Sequence, residues 1–227
     1  MRISEVFASI QGEGPSVGTP SVFVRLAECN LACTWCDTKY TWDWDHYDRA
    51  REVHDMTVDV VAARVAALAG GARTIVVTGG EPMLQQPELV ELLSRLQSFR
   101  VEVETSGTIE PVATLAPLVD QWNVSPKLAS SGNAEKARLR AGPLTYFAAA
   151  ANAQWKLVAT GEADLVEIAA LVVRFGVPAE RITVMPEGTD AATLADRARW
   201  LVPACVARGW RFGTRMHVVL WGSERGR

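Results

Sequence analysis

The sequence predicts an α/β fold, a partial and open β/α barrel of about six or seven mostly parallel strands. Three observations predict it. Apolar runs of strand length alternate with segments of helical period. The links between them are short, which favours parallel strands joined by right-handed crossovers that curl the sheet one way. The runs are too few to close an eight-stranded barrel.

The elements follow in order. "SVFVRLAE" (21–28) alternates, with Val22, Val24 and Leu26 on one face and Phe23, Arg25 and Ala27 on the other. It reads as the first strand. "TVDVVAARVAALAGG" (57–71) has a Thr N-cap, helical apolar spacing and terminal glycines. "RTIVVTGG" (73–80) is a buried strand ending in glycines. "QPELVELLSRLQS" (86–98) is an amphipathic helix with Pro in its first turn. "RVEVETSG" (100–107) is a strand, and "VDQWNVSPK" (119–127) is another, stopped by Pro126. "AQWKLVAT" (153–160) is a strand and "EADLVEIAALVVRFG" (162–176) a helix. "RITVMPEG" (181–188) is a strand. "DAATLADRARWLVPACVARG" (190–209) is helical, with Pro203 expected to kink or split it. "TRMHVVLWG" (214–222) is expected to close the chain as a strand.

In open parallel barrels the site gathers at the C-terminal strand ends. Here those ends read "ECN", "TGGEP", "ETSG", "SPK" and "MPEG". Turn formation accounts for their glycines and prolines. It accounts less well for Glu81, Glu104, Thr105, Lys127 and Glu187, which suggests a functional rim.

Of the 227 residues, 48% are hydrophobic and 22% charged, enough for a substantial core. No repeat or linker divides the chain, so a single domain over 1–227 is expected. A net charge of −3 argues against electrostatic capture of nucleic acid or an anionic membrane. No run is long and apolar enough to span a bilayer, and "MRISEVFASIQGEGP" lacks an apolar signal core. The expected compartment is the cytoplasm, where thiols stay reduced.

Three of the four cysteines, Cys29, Cys33 and Cys36, fall within "ECNLACTWCDT". A disulfide fits poorly, because three cysteines cannot pair off. Zinc is an alternative, with His46 completing a Cys₃His set, although the second paired knuckle is missing. Packed core cysteines are a third, in surroundings too polar for it. An iron–sulfur cluster uses thiolates at short spacing, normally four of them. Three leave one coordination position open, as catalytic metals do.

The spacing Cys-x₃-Cys-x₂-Cys after a strand, with an aromatic (Trp35) before the last cysteine, resembles the radical S-adenosylmethionine (SAM) superfamily. The resemblance narrows with "FASIQGEGPSVGTPSVFVRLAECNLACTWCDTKYTW", "VVTGGEPMLQ", "VEVETSGT", "VSPK", "QWKLV", "VMPEG" and "MHVVLWG". Together these are similar to the 7-carboxy-7-deazaguanine synthase family and cover the chain from Glu5 to Gly222. The resemblance implies a radical SAM barrel. It also implies conversion of 6-carboxy-5,6,7,8-tetrahydropterin to 7-carboxy-7-deazaguanine with loss of ammonia. The implied cofactors are a 4Fe–4S cluster, SAM and Mg²⁺, and the implied partners are an external electron donor and a second copy of the chain as a homodimer.

It also implies roles. Cys29, Cys33 and Cys36 carry the cluster and Thr38 the Mg²⁺. Trp35, Cys36, Asp37, Gly80, Ser125, Pro126, Lys127, Met185, Pro186, Glu187 and Gly188 contact SAM. Ile10, Gln11, Gly12, Glu13, Arg25 and Thr78 contact the substrate. The chemistry suits these assignments. Gly80 lacks a Cβ and lets backbone approach a zwitterion. Arg25, on the face opposite Val22, Val24 and Leu26, can grip a carboxylate with two bonds. Mg²⁺ prefers hard oxygen ligands. Plainer readings stand beside them: "IQGEG" as a turn, Arg25 in a salt bridge to Glu28 or another acid, and Thr38 capping a turn.

Glu104 and Ser106 are weaker candidates. His46 and His54 read as surface residues of a polar 41–56 segment that no motif places, and His217 has no assigned role. Cys205 reads as a packed small hydrophobe. Trp42 and Trp44 are close enough in sequence to cover a cluster. The chain runs on past the last motif through "GSERGR", a departure from many family members. Two competing readings share the cysteines: a glycyl-radical-activating enzyme, and a non-enzymatic zinc- or cluster-holding scaffold.

Overall fold

A computed structural model describes residues 1–227. In chain order, β1 (Arg2–Ile10) and β2 (Pro20–Leu26) form an antiparallel hairpin. After the cysteine loop come the single turn α1 (Arg49–Glu52) and the two-residue strand β3 (His54–Asp55). Then follow α2 (Val58–Ala69), β4 (Thr74–Gly79), α3 (Gln86–Arg95), β5 (Arg100–Thr105) and β6 (Gln121–Val124). The second half runs α4 (Glu135–Arg138), α5 (Ala141–Ala149), β7 (Ala153–Ala159), α6 (Glu162–Phe175), β8 (Ile182–Pro186), α7 (Ala191–Arg208), β9 (Arg211–Phe212) and α8 (Met216–Trp221).

All nine strands join one sheet in the order β3-β1-β2-β4-β5-β6-β7-β8-β9. From β2 to β9 every pairing is parallel, and β1 and β3 are antiparallel additions at one edge. The edge strands β3 and β9 do not meet, so the barrel is open.

Period-two alternation builds the two sides of this sheet. Val22, Val24 and Leu26, then Ile75 and Val77, Val101 and Val103, Trp122 and Val124, Trp155 and Leu157, and Ile182 and Val184 belong to the buried apolar core. The helices cover that face with Val58, Val61 and Val65 of α2, Leu89, Leu92 and Leu93 of α3, and Leu165, Ile168 and Leu171 of α6. The intervening residues turn inward. Phe23, Arg25, Thr78, Glu104, Lys156 and Val158 all line the barrel's cavity. An apolar outer face forces the polar residues of each strand into the barrel, where they need partners or a ligand.

The helix caps follow the sequence. The Thr57 side chain accepts from the Val60 amide at the start of α2, and Asp190 accepts from Thr193 at the start of α7. Gly176 and Gly209 end α6 and α7 with positive φ of 64° and 66°.

Several expectations need correction. The first strand is β1, not the 21–28 run, and "IQGEG" is the start of the hairpin loop between β1 and β2. Its apolar and polar residues alternate weakly because β1 pairs at a half-covered edge. Pro203 does not split α7. It sits on the exposed side with Arg199, the residue four back whose carbonyl a proline leaves without its amide donor. The 214–222 run is not a strand. The sheet ends at the two-residue β9, and "MHVVLW" forms α8, because so short an apolar run carries no decisive period. The Met216 amide donates to the Gly12 carbonyl at 2.9 Å and lays α8 against the hairpin loop.

Candidate active site

The cavity at the C-terminal strand ends measures about 210 Å³. All three cysteines of the triplet line it, together with Gln11 and Glu13 from the hairpin loop, Arg25, the Thr78-Gly79-Gly80 turn, Lys127, Lys156, Arg215 and His217.

The cysteine loop leaves β2 through Glu28, whose φ of 76° is the one positive value outside glycine. That turn presses the loop against Gly79 and Gly80. The Gly80 amide donates to the Leu26 carbonyl at 3.0 Å and the Glu81 amide to the Glu28 carbonyl at 2.8 Å. A Cβ on Gly80 would lie 2.1 Å from the Glu28 carbonyl oxygen and 3.1 Å from Cys29 Cβ, so only glycine fits there. Glu81, fully buried, ties the turn down. It accepts from Met83 N at 3.1 Å, Thr105 Oγ1 at 2.8 Å and both the amide and hydroxyl of Ser106 at 2.8 and 2.5 Å. Glu81 and Ser106 are therefore structural, although Ser106 also touches the cavity wall.

Each thiol of the triplet has its own donor. Leu31 N approaches Cys29 Sγ at 3.4 Å, Asn133 Nδ2 approaches Cys33 Sγ at 3.3 Å, and Trp42 Nε1 approaches Cys36 Sγ at 3.4 Å. Burial pushes the Cys29 thiol up to about 12, and Cys33 rises for the same cause. Such thiols ionise when a metal takes the place of the proton. No three His, Cys, Asp or Glu side chains converge closely enough to hold one ion. His46 is turned away, its Nδ1 3.0 Å from Asp43 and its side chain 76% exposed. A single zinc is thus disfavoured. A cluster, which spreads its thiolates over separate irons and is tuned by donors to sulfur, fits the donor set.

Opposite the thiols stands a chain of buried charges. Lys156 Nζ lies 2.6 Å from Glu13 Oε2 and 3.3 Å from Glu104 Oε1. Arg215 Nε lies 2.9 Å from the other oxygen of Glu13, and its Nη2 pairs with Asp37. Thr78 Oγ1 donates to Glu104 Oε2 at 2.7 Å and Gln11 Nε2 to Oε1 at 3.3 Å. Burial alone would raise the Glu13 carboxyl, but Lys156 and Arg215 outweigh it and hold Glu13 well below the carboxylate range. Burial would likewise raise Asp37, and Arg215 holds it down. Burial lowers His217 and keeps its ring neutral near pH 7.

Of the sequence-predicted residues, Ile10, Gln11, Gly12, Glu13, Arg25, Cys29, Cys33, Trp35, Cys36, Asp37, Thr38, Thr78, Gly80, Ser125, Lys127 and Glu187 line the cavity. Pro126, Met185, Pro186 and Gly188 stand behind the lining, buried. The Gly188 carbonyl accepts from Arg215 Nη1 at 2.6 Å. Arg25 pairs with Glu5 (Nε–Oε2 2.8 Å), not with Glu28, which Arg49 and Arg2 hold. Its two Nη nitrogens have no hydrogen-bond partner in the chain, and Arg25 is among the residues that line the cavity. Lys127 stands 5.6 Å over the Trp35 ring and donates to Ser125 Oγ at 3.0 Å.

Sequence reasoning gave no role to Lys156, Arg215 or Asn133. Lys156 did carry a signal, a lone cation inside the apolar strand "QWKLV". Arg215 and Asn133 reach the site through tertiary packing that no local pattern marks.

Comparison with known proteins decides the lineage. Residues 25–197 match the Radical SAM superfamily. The chain is 37% identical to a 7-carboxy-7-deazaguanine synthase of Pyrobaculum aerophilum over 229 residues, covering 100% of this chain and 97% of that protein. It is 37% identical to another of Halobacterium salinarum, covering 97% and 90%.

The chain belongs to the 7-carboxy-7-deazaguanine synthase family of the radical SAM superfamily.

Among solved structures, QueE from Escherichia coli superposes with a TM-score of 0.72 at 27% identity, covering 95% of this chain and 94% of that one. Streptococcus suis SuiB shares the fold alone, with a TM-score of 0.56 at 14% identity over 82% of this chain and 46% of that one. Radical SAM membership brings a 4Fe–4S cluster and SAM. The cysteine triplet, with its sulfur-directed donors and its glycine cradle, suits both. No helix is long and apolar enough to cross a membrane.

Proposed function

We propose that the chain converts 6-carboxy-5,6,7,8-tetrahydropterin to 7-carboxy-7-deazaguanine with loss of ammonia, as a radical SAM lyase. One observation carries the reading beyond family membership. The cysteine triplet, the TGG turn and Arg25 with free Nη nitrogens open on one cavity of about 210 Å³, large enough for a bicyclic ligand beside a cofactor group.

Cys29, Cys33 and Cys36 would hold the cluster. The cluster and SAM together, when bound, supply a carbon-centred radical able to take a hydrogen atom from carbon 6 of the pterin. The chain's own residues bind and orient. Gly80, Ser125, Lys127, Trp35, Asp37 and Glu187 offer the wall for SAM, and Pro126, Met185, Pro186 and Gly188 back it. Gln11, Glu13 and Thr78 supply donors and acceptors for the pterin, with Ile10 and Gly12 contributing backbone. Arg25 meets the substrate carboxylate with its two Nη nitrogens. The buried Glu13–Lys156–Glu104 chain fixes acceptor positions before substrate arrives, so little reorganisation is left for the bound state.

Mg²⁺ beside Thr38 completes the reading. Thr38 lines the cavity with its Oγ1 3.6 Å from Cys36 Sγ, and most ligands would come from substrate and water. Residues from both ends of the sequence, Gln11 and Arg215, build the site, which supports one domain over 1–227. An external electron donor to the cluster and a cytoplasmic setting, where thiols stay reduced, belong to the same reading. A homodimer is supported by two exposed valines on one face of α6, Val166 and Val173, 72% and 82% exposed.

The test is an anaerobic assay of reconstituted protein with SAM, a reductant and the carboxy-tetrahydropterin. The expected product is 7-carboxy-7-deazaguanine plus ammonia. SAM cleavage without that product would move the chain to another radical substrate.

A further inference from the structure

We infer that Arg225 is a positioning residue, which fastens the segment Gly222–Arg227 beside the cavity and, through Glu5, sets the orientation of Arg25. The inference rests on the reading that Arg25 grips the substrate carboxylate.

One carboxylate links the two arginines. Arg225 Nε donates to Glu5 Oε1 at 3.2 Å. The other oxygen, Oε2, accepts from Arg25 Nε at 2.8 Å and from the Tyr40 hydroxyl at 2.9 Å. Arg225 is itself anchored twice more. Its guanidinium carbon lies 3.7 Å from the centroid of the Tyr40 ring, and its Nη groups meet Glu52 of α1 at 2.8 and 3.4 Å. A lone exposed ion pair contributes little. A two-pronged pair, a ring contact and a shared buried-side carboxylate acting together hold one geometry.

The consequence falls on Arg25. Glu5 engages its Nε and leaves the two Nη nitrogens without a partner in the chain, on a residue that lines the cavity. With Arg225 gone, Oε1 of Glu5 loses its partner and the carboxylate is free to turn, carrying the Arg25 guanidinium with it. A second, smaller cavity of about 80 Å³ is walled by Arg25, Thr38, Tyr40 and Arg215 together with the tail from Gly222 to Arg227, and Arg227 also lines the main cavity. The tail thus abuts the proposed carboxylate pocket directly.

The experiment is a double-mutant cycle on the cluster-loaded full chain, reading KM for the carboxylated pterin, kcat, and cluster absorbance. Arg225→Ala should raise KM about tenfold with kcat little changed, and should add nothing to Arg25→Ala in the double variant. Arg225→Lys, which keeps the charge but not the two-pronged pair, should fall between. If Arg25→Ala raises KM and Arg225→Ala does not, Arg25 keeps its role and the inference falls. If the two effects multiply in the double variant, Arg225 acts apart from Arg25 and the inference also falls. An unchanged KM in Arg25→Ala overturns both. Should Arg225→Ala fail to load a cluster, the same cycle run with Glu52→Gln, which loosens Arg225 without touching Glu5, decides by the same criterion.

Discussion

Lys156 Nζ lies 2.6 Å from Glu13 Oε2, joining the middle of β7 to the hairpin loop across 143 residues of sequence. This contact pins a loop from the N-terminal hairpin over the barrel interior. It also sets the ionisation of the site. Glu13 is buried, which by itself would favour the neutral acid, yet Lys156 and Arg215 hold it ionised.

That arrangement gives a pH dependence with a definite sign. A carboxylate whose folded-state value is lowered contributes stability above its unfolded value, about 4.3, and loses it as pH falls through the folded value. Glu13→Gln should therefore cost on the order of 1.5–3 kcal/mol at pH 7, because Lys156 and Arg215 each lose a charge-assisted bond while keeping one carboxylate, Glu104 and Asp37 respectively. Below about pH 4.3 its stability should fall less steeply than the parent's, by about one proton in the linkage slope. Chemical denaturation at pH 7 and at pH 3 measures both. Parallel curves would place Glu13 outside the ion network.

The cysteines divide three to one. Cys29→Ala, Cys33→Ala and Cys36→Ala should each abolish the visible absorbance of the reconstituted protein and its SAM cleavage. Cys205→Ala should retain both, because Cys205 lies on α7 within the apolar core. Its cost should be in stability alone, roughly 1 kcal/mol for so small a truncation. An essential Cys205 would contradict the three-thiolate site.

Gly80→Ala probes the glycine cradle. The new methyl would sit 2.1 Å from the Glu28 carbonyl, a backbone atom that cannot swing away. The turn or the cysteine loop must then shift, and SAM affinity should fall at least tenfold while the cysteines themselves are intact. Equilibrium dialysis with SAM on the cluster-loaded variant checks this. Parent-like affinity would show that SAM does not approach this turn.

Thr38→Ala separates a metal ligand from a turn residue. The Thr38 hydroxyl caps nothing in the 3₁₀ turn that follows it, whereas its carbonyl accepts from the Thr41 hydroxyl at 2.8 Å. The turn should therefore survive the substitution. Stimulation of turnover by Mg²⁺ should be lost with cluster content retained. Equal stimulation in variant and parent would put the metal elsewhere.

Much of this fold was legible because buried parallel strands announce themselves. The runs at 73–80, 100–107 and 181–188 contain β4, β5 and β8. The alternation in 21–28 correctly placed Arg25 opposite Val22, Val24 and Leu26. Edges were less legible. β1, β3 and β9 owe their strand state to neighbours rather than to local pattern, and α8 is an apolar run that docks on a loop instead of pairing. The site divided the same way. Residues in compact motifs, such as the cysteine triplet and Thr78 to Gly80, could be read directly. Arg215 and Asn133 could not, because they meet Asp37 and Cys33 only after some 178 and 100 residues of chain have folded between them.

The central claim is that this cavity sets carbon 6 of the carboxy-tetrahydropterin where a hydrogen atom can be taken from it. Substrate deuterated at carbon 6, turned over anaerobically with SAM and reductant, tests this most directly by mass spectrometry of the 5′-deoxyadenosine formed. The account predicts that the deuterium appears in 5′-deoxyadenosine alongside formation of 7-carboxy-7-deazaguanine. Product formed with unlabelled 5′-deoxyadenosine would contradict it.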